Sequence, residues 1–64
     1  LIGVRCSFRF IGEERMTGEG WIRALFPNPD RVHIAHVIVE VDKAESAERG
    51  DLFELRIDFV RVIR

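Results

Sequence analysis

Residues 1–10 read Leu1-Ile-Gly-Val-Arg-Cys-Ser-Phe-Arg-Phe10 and alternate apolar with polar side chains almost without interruption. Side chains two positions apart lie on the same face of a β-strand, so this stretch predicts a half-buried strand. Strand-like segments recur at 16–26, 32–41 and 52–63. We therefore expect an all-β fold of four or five mostly antiparallel strands, twisted into a small barrel or sandwich.

Size limits how such a sheet is stabilised. The chain has 64 residues, of which 47% are hydrophobic, and a single cysteine, Cys6. We expect one domain over 1–64, either complete or a piece of a longer protein. A chain this short buries only about 60% of its unfolded surface and usually relies on disulfides, a metal or oligomerisation. A lone cysteine forms no internal disulfide, which favours a buried thiol, a cytoplasmic location and self-association or binding to another protein.

The charge balance narrows the range of partners. Ten basic and eleven acidic residues give a net charge of −1, and the isoelectric point is about 6.1. Nucleic-acid-binding domains normally carry a basic stripe and a high isoelectric point, so no nucleic-acid partner is expected. The apolar runs are also too short to span a membrane.

Several residues predict irregularities in the strands. Gly18 and Gly20 within the second strand indicate a bulge or a close approach of two backbones, and Pro27 should end that strand. Asp42 as an N-cap and Gly50 as a C-terminal residue indicate a short helix over 43–49, with a loop as the alternative.

The alternation also changes phase in the last two strands. Near Ala35 the change indicates either a bulge or a strand covered on both faces. At positions 59–60 it predicts a second bulge, which would bend a long final strand.

Charges on the first and last strands are complementary. Arg5 and Arg9 of the first strand match Glu54 and Asp58 of the last. If these residues pair, the two strands are neighbours and the sheet closes.

No catalytic or metal-binding motif is evident. His33 and His36 are the only histidines, and their odd spacing on a strand sends them to opposite faces. A metal site would further need a ligand such as Cys6 or Asp30. We therefore expect no catalytic residues, no metal and no cofactor, and a protein that is not an enzyme.

Aromatic and β-branched residues are the candidates for contacts with a partner. Trp21 and Phe26 stand close to an arginine and a proline pair, and tryptophan is enriched among interface hot spots; a core position is the alternative for Trp21. With Val60 and Val62 on the polar face of the last strand, we predict the contact residues to be Trp21, Phe26, Val60 and Val62.

The order of strands and glycines resembles that of PilZ domains. The matching segments are Val4-Arg-Cys-Ser-Phe-Arg-Phe10, Gly18-Glu-Gly-Trp-Ile22 and Gly50-Asp-Leu-Phe-Glu-Leu-Arg-Ile57. The resemblance implies a small β-barrel and, as in many members of that family, binding of the bacterial second messenger cyclic di-GMP. The family's arginine pair before the first strand is absent, and residues 24–30 lack the Ser and Gly of its second motif. No ligand-binding residue is therefore carried over.

Three functional hypotheses follow. The first is a non-enzymatic protein-interaction or oligomerisation module, which recruits its partner through apolar surface and an exposed strand edge. The second is a cyclic di-GMP-binding domain of PilZ type with degenerate motifs. The third is a small subunit that completes an enzyme site at an interface, with His33 or His36 near the partner's pocket.

Overall fold

The computed structural model describes residues 2–11, 15–27 and 35–63. These residues form one antiparallel sheet of five strands in the order β4-β3-β2-β1-β5. The predicted all-β fold is thus confirmed. A 3₁₀ turn (Ile57–Phe59) joins the last two strands, and the strands are β1 (Arg5–Ile11), β2 (Arg15–Phe26), β3 (His36–Ala44), β4 (Leu52–Arg56) and β5 (Val60–Val62).

The sheet is strongly curled. Its two edge strands, β4 and β5, are separated along the chain only by the three-residue turn Ile57–Phe59, so the edges must approach each other. The pairing of β2 with β3 shifts register between Glu19 and Gly20 and again between Ile22 and Ala24. Such irregularities bend a sheet and increase its twist. Among the described residues β4 and β5 share no ladder, and the sheet is a curled one rather than a closed barrel.

One face of the sheet forms the core. In β3 the buried residues Val37, Val39 and Val41 alternate with partly exposed ones, which is the period of two that a one-sided strand requires. The buried hydrophobic residues within the described ranges are Cys6, Phe8, Met16, Ile22, Val37, Val39, Val41 and Leu55. We call the face that carries these side chains the inner face and the opposite one the outer face.

The two glycines of β2 allow the backbones to approach closely. A Cβ atom at Gly20 would overlap the carbonyl oxygen of Glu40, and one at Gly18 would lie 2.5 Å from the carbonyl oxygen of Lys43. The register shift beside Gly20 marks the irregularity. The prediction of a bulge or close approach at these glycines is confirmed.

The predicted short helix over 43–49 is wrong. Lys43 and Ala44 continue β3 and pair with β2, and a bend and a turn follow. Gly50 has the positive φ that its position suggested, 93°. It serves a tight turn in which the Asp51 N–H donates to the Glu48 carbonyl. The extra residue at the register shift is Asp42, which is held in the sheet rather than capping a helix.

The predicted final strand over 52–63 is interrupted. The 3₁₀ turn replaces the expected bulge at 59–60 and sends the chain from one edge of the sheet to the other. The first and last strands are neighbours, as predicted, because β5 pairs with β1. The expected match of Arg5 and Arg9 with Glu54 and Asp58 is wrong, since β4 pairs with β3 instead. Local charge complementarity did not determine which edge β4 joins.

One further expectation concerns residues outside the described ranges. The phase change near Ala35 depends on residues 32–34, which the structure does not describe. β2 ends at Phe26, directly before Pro27, as expected. In the described part of the chain no helix is long and apolar enough to cross a membrane.

Candidate functional site

Trp21 lies on the outer face of the sheet, where the pairing places it between Arg5 of β1 and Glu40 of β3. The guanidinium carbons of Arg5 and Arg23 lie 5.2 and 5.5 Å from the centre of its ring. These distances are within the range of cation–π attraction. The half-buried indole is therefore not a core residue: two arginines hold it on the surface.

Carboxylates from neighbouring strands fix these arginines. An Arg5 Nη2 donates to Asp42 Oδ2 at 2.8 Å and to Glu19 Oε1 at 3.1 Å, and Arg23 Nε donates to Glu40 Oε1 at 3.2 Å. The hydrogen bond from Arg5 lowers the pKa of Asp42 below its ordinary value, and the same bond raises the pKa of Arg5. The Arg5–Asp42 pair is thus charged and hydrogen-bonded at neutral pH.

Apolar side chains accompany Trp21 along the outer face of β2, β3 and β4. Leu52 and Trp21 flank Glu40 on either side, Ile38 lies between Ala24 and Glu54, and Phe26 lies opposite His36. Leu52 is 63% exposed and Phe26 is 53% exposed. We call this set the outer patch, defined by Trp21, Phe26, Ile38 and Leu52.

The polar residues around the outer patch are paired with one another. His36 Nδ1 lies 3.3 Å from Glu54 Oε2, and Arg56 contacts both carboxylate oxygens of Asp58 at 3.2 and 3.0 Å. Among the described residues, the Arg23–Glu40 and Arg56–Asp58 ion pairs flank the patch, and Glu54 lies beside a histidine. The patch therefore presents apolar groups without a strong field of one sign.

The structure divides the four predicted contact residues into two groups. Trp21 and Phe26 lie on the outer patch. Val60 and Val62 lie on β5, away from the patch, where they pair with Phe8 and Cys6 of β1. Val60 also packs against the core. Their expected place on the polar face is wrong, because the 3₁₀ turn reorients the chain before β5.

Two residues of the outer patch were missed by the sequence analysis. Ile38 lies in a run of β-branched residues in which Val37, Val39 and Val41 take the inner face. The alternation itself was the available signal, because an isoleucine between Val37 and Val39 must lie on the opposite face of the strand. Leu52 gave no signal of its own, because its exposure depends on β4 being an edge strand.

Of the residues considered for metal binding, the structure describes Cys6 and His36, whereas Asp30 lies outside the described ranges. Cys6 is fully buried, and burial raises the pKa of its thiol. His36 faces Glu54 on the outer face, and His33 lies outside the described ranges. Within those ranges no three histidine, cysteine or acidic side chains are grouped closely enough to hold a metal ion.

No protein-family model, curated protein or solved structure matches the chain. Residues 24–30, which lack the Ser and Gly expected from the PilZ resemblance, begin in β2 at Ala24 and continue into residues 28–30, outside the described ranges.

Proposed function

We propose that the chain is a non-enzymatic protein-interaction module that self-associates through the outer patch. The observation that carries this proposal is the amount of exposed apolar surface. The described residues include as many exposed large hydrophobic side chains as buried core residues, eight of each, and two of the three most exposed, Leu52 and Phe26, lie in the outer patch. Full burial of one such side chain contributes about 1.5–3 kcal/mol.

A small core supports the same proposal. Chains near this size often need oligomerisation to reach ordinary stability. Burying the outer patch would add apolar contacts from three strands, with Trp21 and Arg23 as the residue types most common among interface hot spots. The edge strand β4, which carries Leu52, borders the patch and also offers backbone groups for pairing.

The charges of the chain favour a second copy as the occupant. A net charge of −1 causes little repulsion between copies. In addition, among the described residues the Arg23–Glu40 and Arg56–Asp58 ion pairs balance opposite charges beside the patch. An isologous dimer places the same patch on both subunits and requires a surface compatible with itself. A cytoplasmic setting belongs to this proposal.

Light scattering over a dilution series from about 100 to 1 micromolar tests the proposal, since weak homodimers dissociate in this range. We expect a dimer or larger species at the upper end. Phe26→Ser combined with Leu52→Ser should give a monomer, whereas Ile2→Ser should not change the mass. Ile2 is a matched control, because it is 61% exposed, close to Leu52, and lies outside the patch.

A wild-type monomer at every concentration would contradict self-association. A mass that falls equally in the Ile2→Ser control would contradict the outer patch as the interface, because the effect would then not belong to the patch. The resemblance to PilZ domains stays a prediction, and titration of cyclic di-GMP with detection by calorimetry tests it separately.

A further inference from the structure

A cleft of about 750 Å³ lies away from the outer patch, where β1, β2, β5 and the 3₁₀ turn meet the end of β3. The strand pairing places Ser7, Glu19, Lys43 and Arg61 in one outer row. Arg9 and Thr17 form the next outer row. The cleft is therefore a concave part of the outer face, bounded on one side by Phe59.

Two arginines of the cleft, Arg9 and Arg61, differ from its other charged residues in their pairing within the described part of the chain. Of its acidic residues, Glu19 is bound by Arg5 at 3.1 Å and Asp58 by Arg56 at 3.0 Å. Neither Arg9 nor Arg61 has a carboxylate within 4.0 Å among the residues that the structure describes.

Two further charged residues, Lys43 and Glu45, affect where an anion could bind in the cleft. Lys43 lies 3.9 Å from Glu19, and Glu45 also lines the cleft. Glu45 would disfavour a ligand close to the end of β3. The positive end of the cleft is therefore the end formed by β1 and β5.

The two arginines are placed to act on one anion. Arg61 lies opposite Ser7, and Arg9 is two residues further along the same face of β1. Such diagonal neighbours are about 7–8 Å apart, which two long guanidinium side chains can bridge. The planar fork of each guanidinium matches phosphate oxygens in pairs.

We propose that Arg9 and Arg61 bind the phosphate group of a small organic phosphate in this cleft. Ser7 and Thr17 supply hydroxyl donors beside the arginines. Phe59 offers an apolar wall for the organic part of the ligand; Arg56 lies 5.3 Å from the centre of that ring. This site shares no residue with the outer patch, so each proposal can fail without the other.

The experiment is a titration of the ¹⁵N-labelled chain with phenyl phosphate, followed by amide chemical shifts at constant ionic strength. We expect saturable shifts at residues 7–9, 17–19 and 59–61. Arg9→Gln and Arg61→Gln should each weaken binding about tenfold or more, the usual value of one charge-assisted contact. Arg49→Gln removes the same charge from a side chain that is 77% exposed and outside the cleft, and it should leave the affinity unchanged.

Titrations with inorganic phosphate and with sulfate separate the contribution of the organic part of the ligand from that of the general charge of the cleft. Weaker binding of inorganic phosphate at the same amides would support a role for Phe59. Equal shifts with sulfate, or an equal loss of affinity in Arg49→Gln, would indicate screening of the general charge and would overturn the site. Absence of saturable shifts in a wild-type chain that retains its folded spectrum would overturn it as well.

Discussion

At the scale of single residues, Gly20 is a position at which any side chain should lower stability. A side chain there would overlap the carbonyl oxygen of Glu40, which belongs to the neighbouring strand and cannot move independently. We expect Gly20→Ala to lower the free energy of unfolding by about 1–3 kcal/mol, the usual cost of forcing atoms into a packed site. Urea unfolding followed by Trp21 fluorescence measures it.

Thr17→Ala is the control for Gly20, because Thr17 is exposed on the same strand. Its effect should stay within about 0.5 kcal/mol. A Gly20→Ala chain as stable as the wild type would contradict the close approach of β2 and β3.

Asp42 gives a pH dependence at the same scale. Its pKa in the folded chain is lowered, chiefly by the hydrogen bond from Arg5, below the ordinary value of 3.8. The folded state therefore binds the proton less readily than the unfolded state. The stabilisation is fully present above pH 3.8 and is lost as the pH falls through the folded pKa.

The comparison of wild type with Asp42→Asn isolates this group from the other carboxylates. The variant should be less stable at neutral pH, and the difference should narrow as the pH falls below the ordinary value of 3.8. Urea unfolding at several pH values measures the difference. A gap that is constant with pH would show that the charge of Asp42 does not carry the effect.

At the scale of elements, β5 shows how position on one short strand changes the role of a residue. Val60 packs against the core, whereas Val62 is 41% exposed. Val60→Ala removes partly buried methyl groups that pack against the core, and we expect it to lower the free energy of unfolding by about 1–2 kcal/mol. Val62→Ala is the matched substitution and should change it by less than about 0.5 kcal/mol.

The same pair of substitutions separates packing from association. If Val60 acts through the core, Val60→Ala lowers stability while the mass at saturating concentration stays that of the wild type. Loss of association with unchanged stability would instead return Val60 to the contact surface that its sequence position suggested.

The elements also show where local pattern was sufficient. The alternation along β1 and the glycines of β2 predicted a one-sided strand and a close backbone approach, because both depend on neighbours along the chain. The helix over 43–49 was wrong because Asp42 has a partner, Arg5, that is distant in sequence. A capping residue and a bulge residue have similar local signatures.

At the scale of the whole molecule, the sheet order decides which surfaces exist. The 3₁₀ turn carries the chain from β4 to β5. Residues 52–63 therefore form both edge strands of the sheet. Trp21 and Phe26 share a face with Ile38 and Leu52 only through pairing across β2, β3 and β4. The cleft with Arg9 and Arg61 likewise requires β5 beside β1.

The amino-acid sequence by itself determined the all-β class, most of β1 and β2, the end of β2 before Pro27 and the special role of Gly18 and Gly20. These features follow from side-chain period and backbone sterics, which act over a few residues. Only the tertiary structure decided the partner of β4, the division of the last strand, the charges around Trp21 and the composition of both surfaces. Those depend on register between segments far apart in the chain, and a shift of one residue would exchange the inner and outer faces.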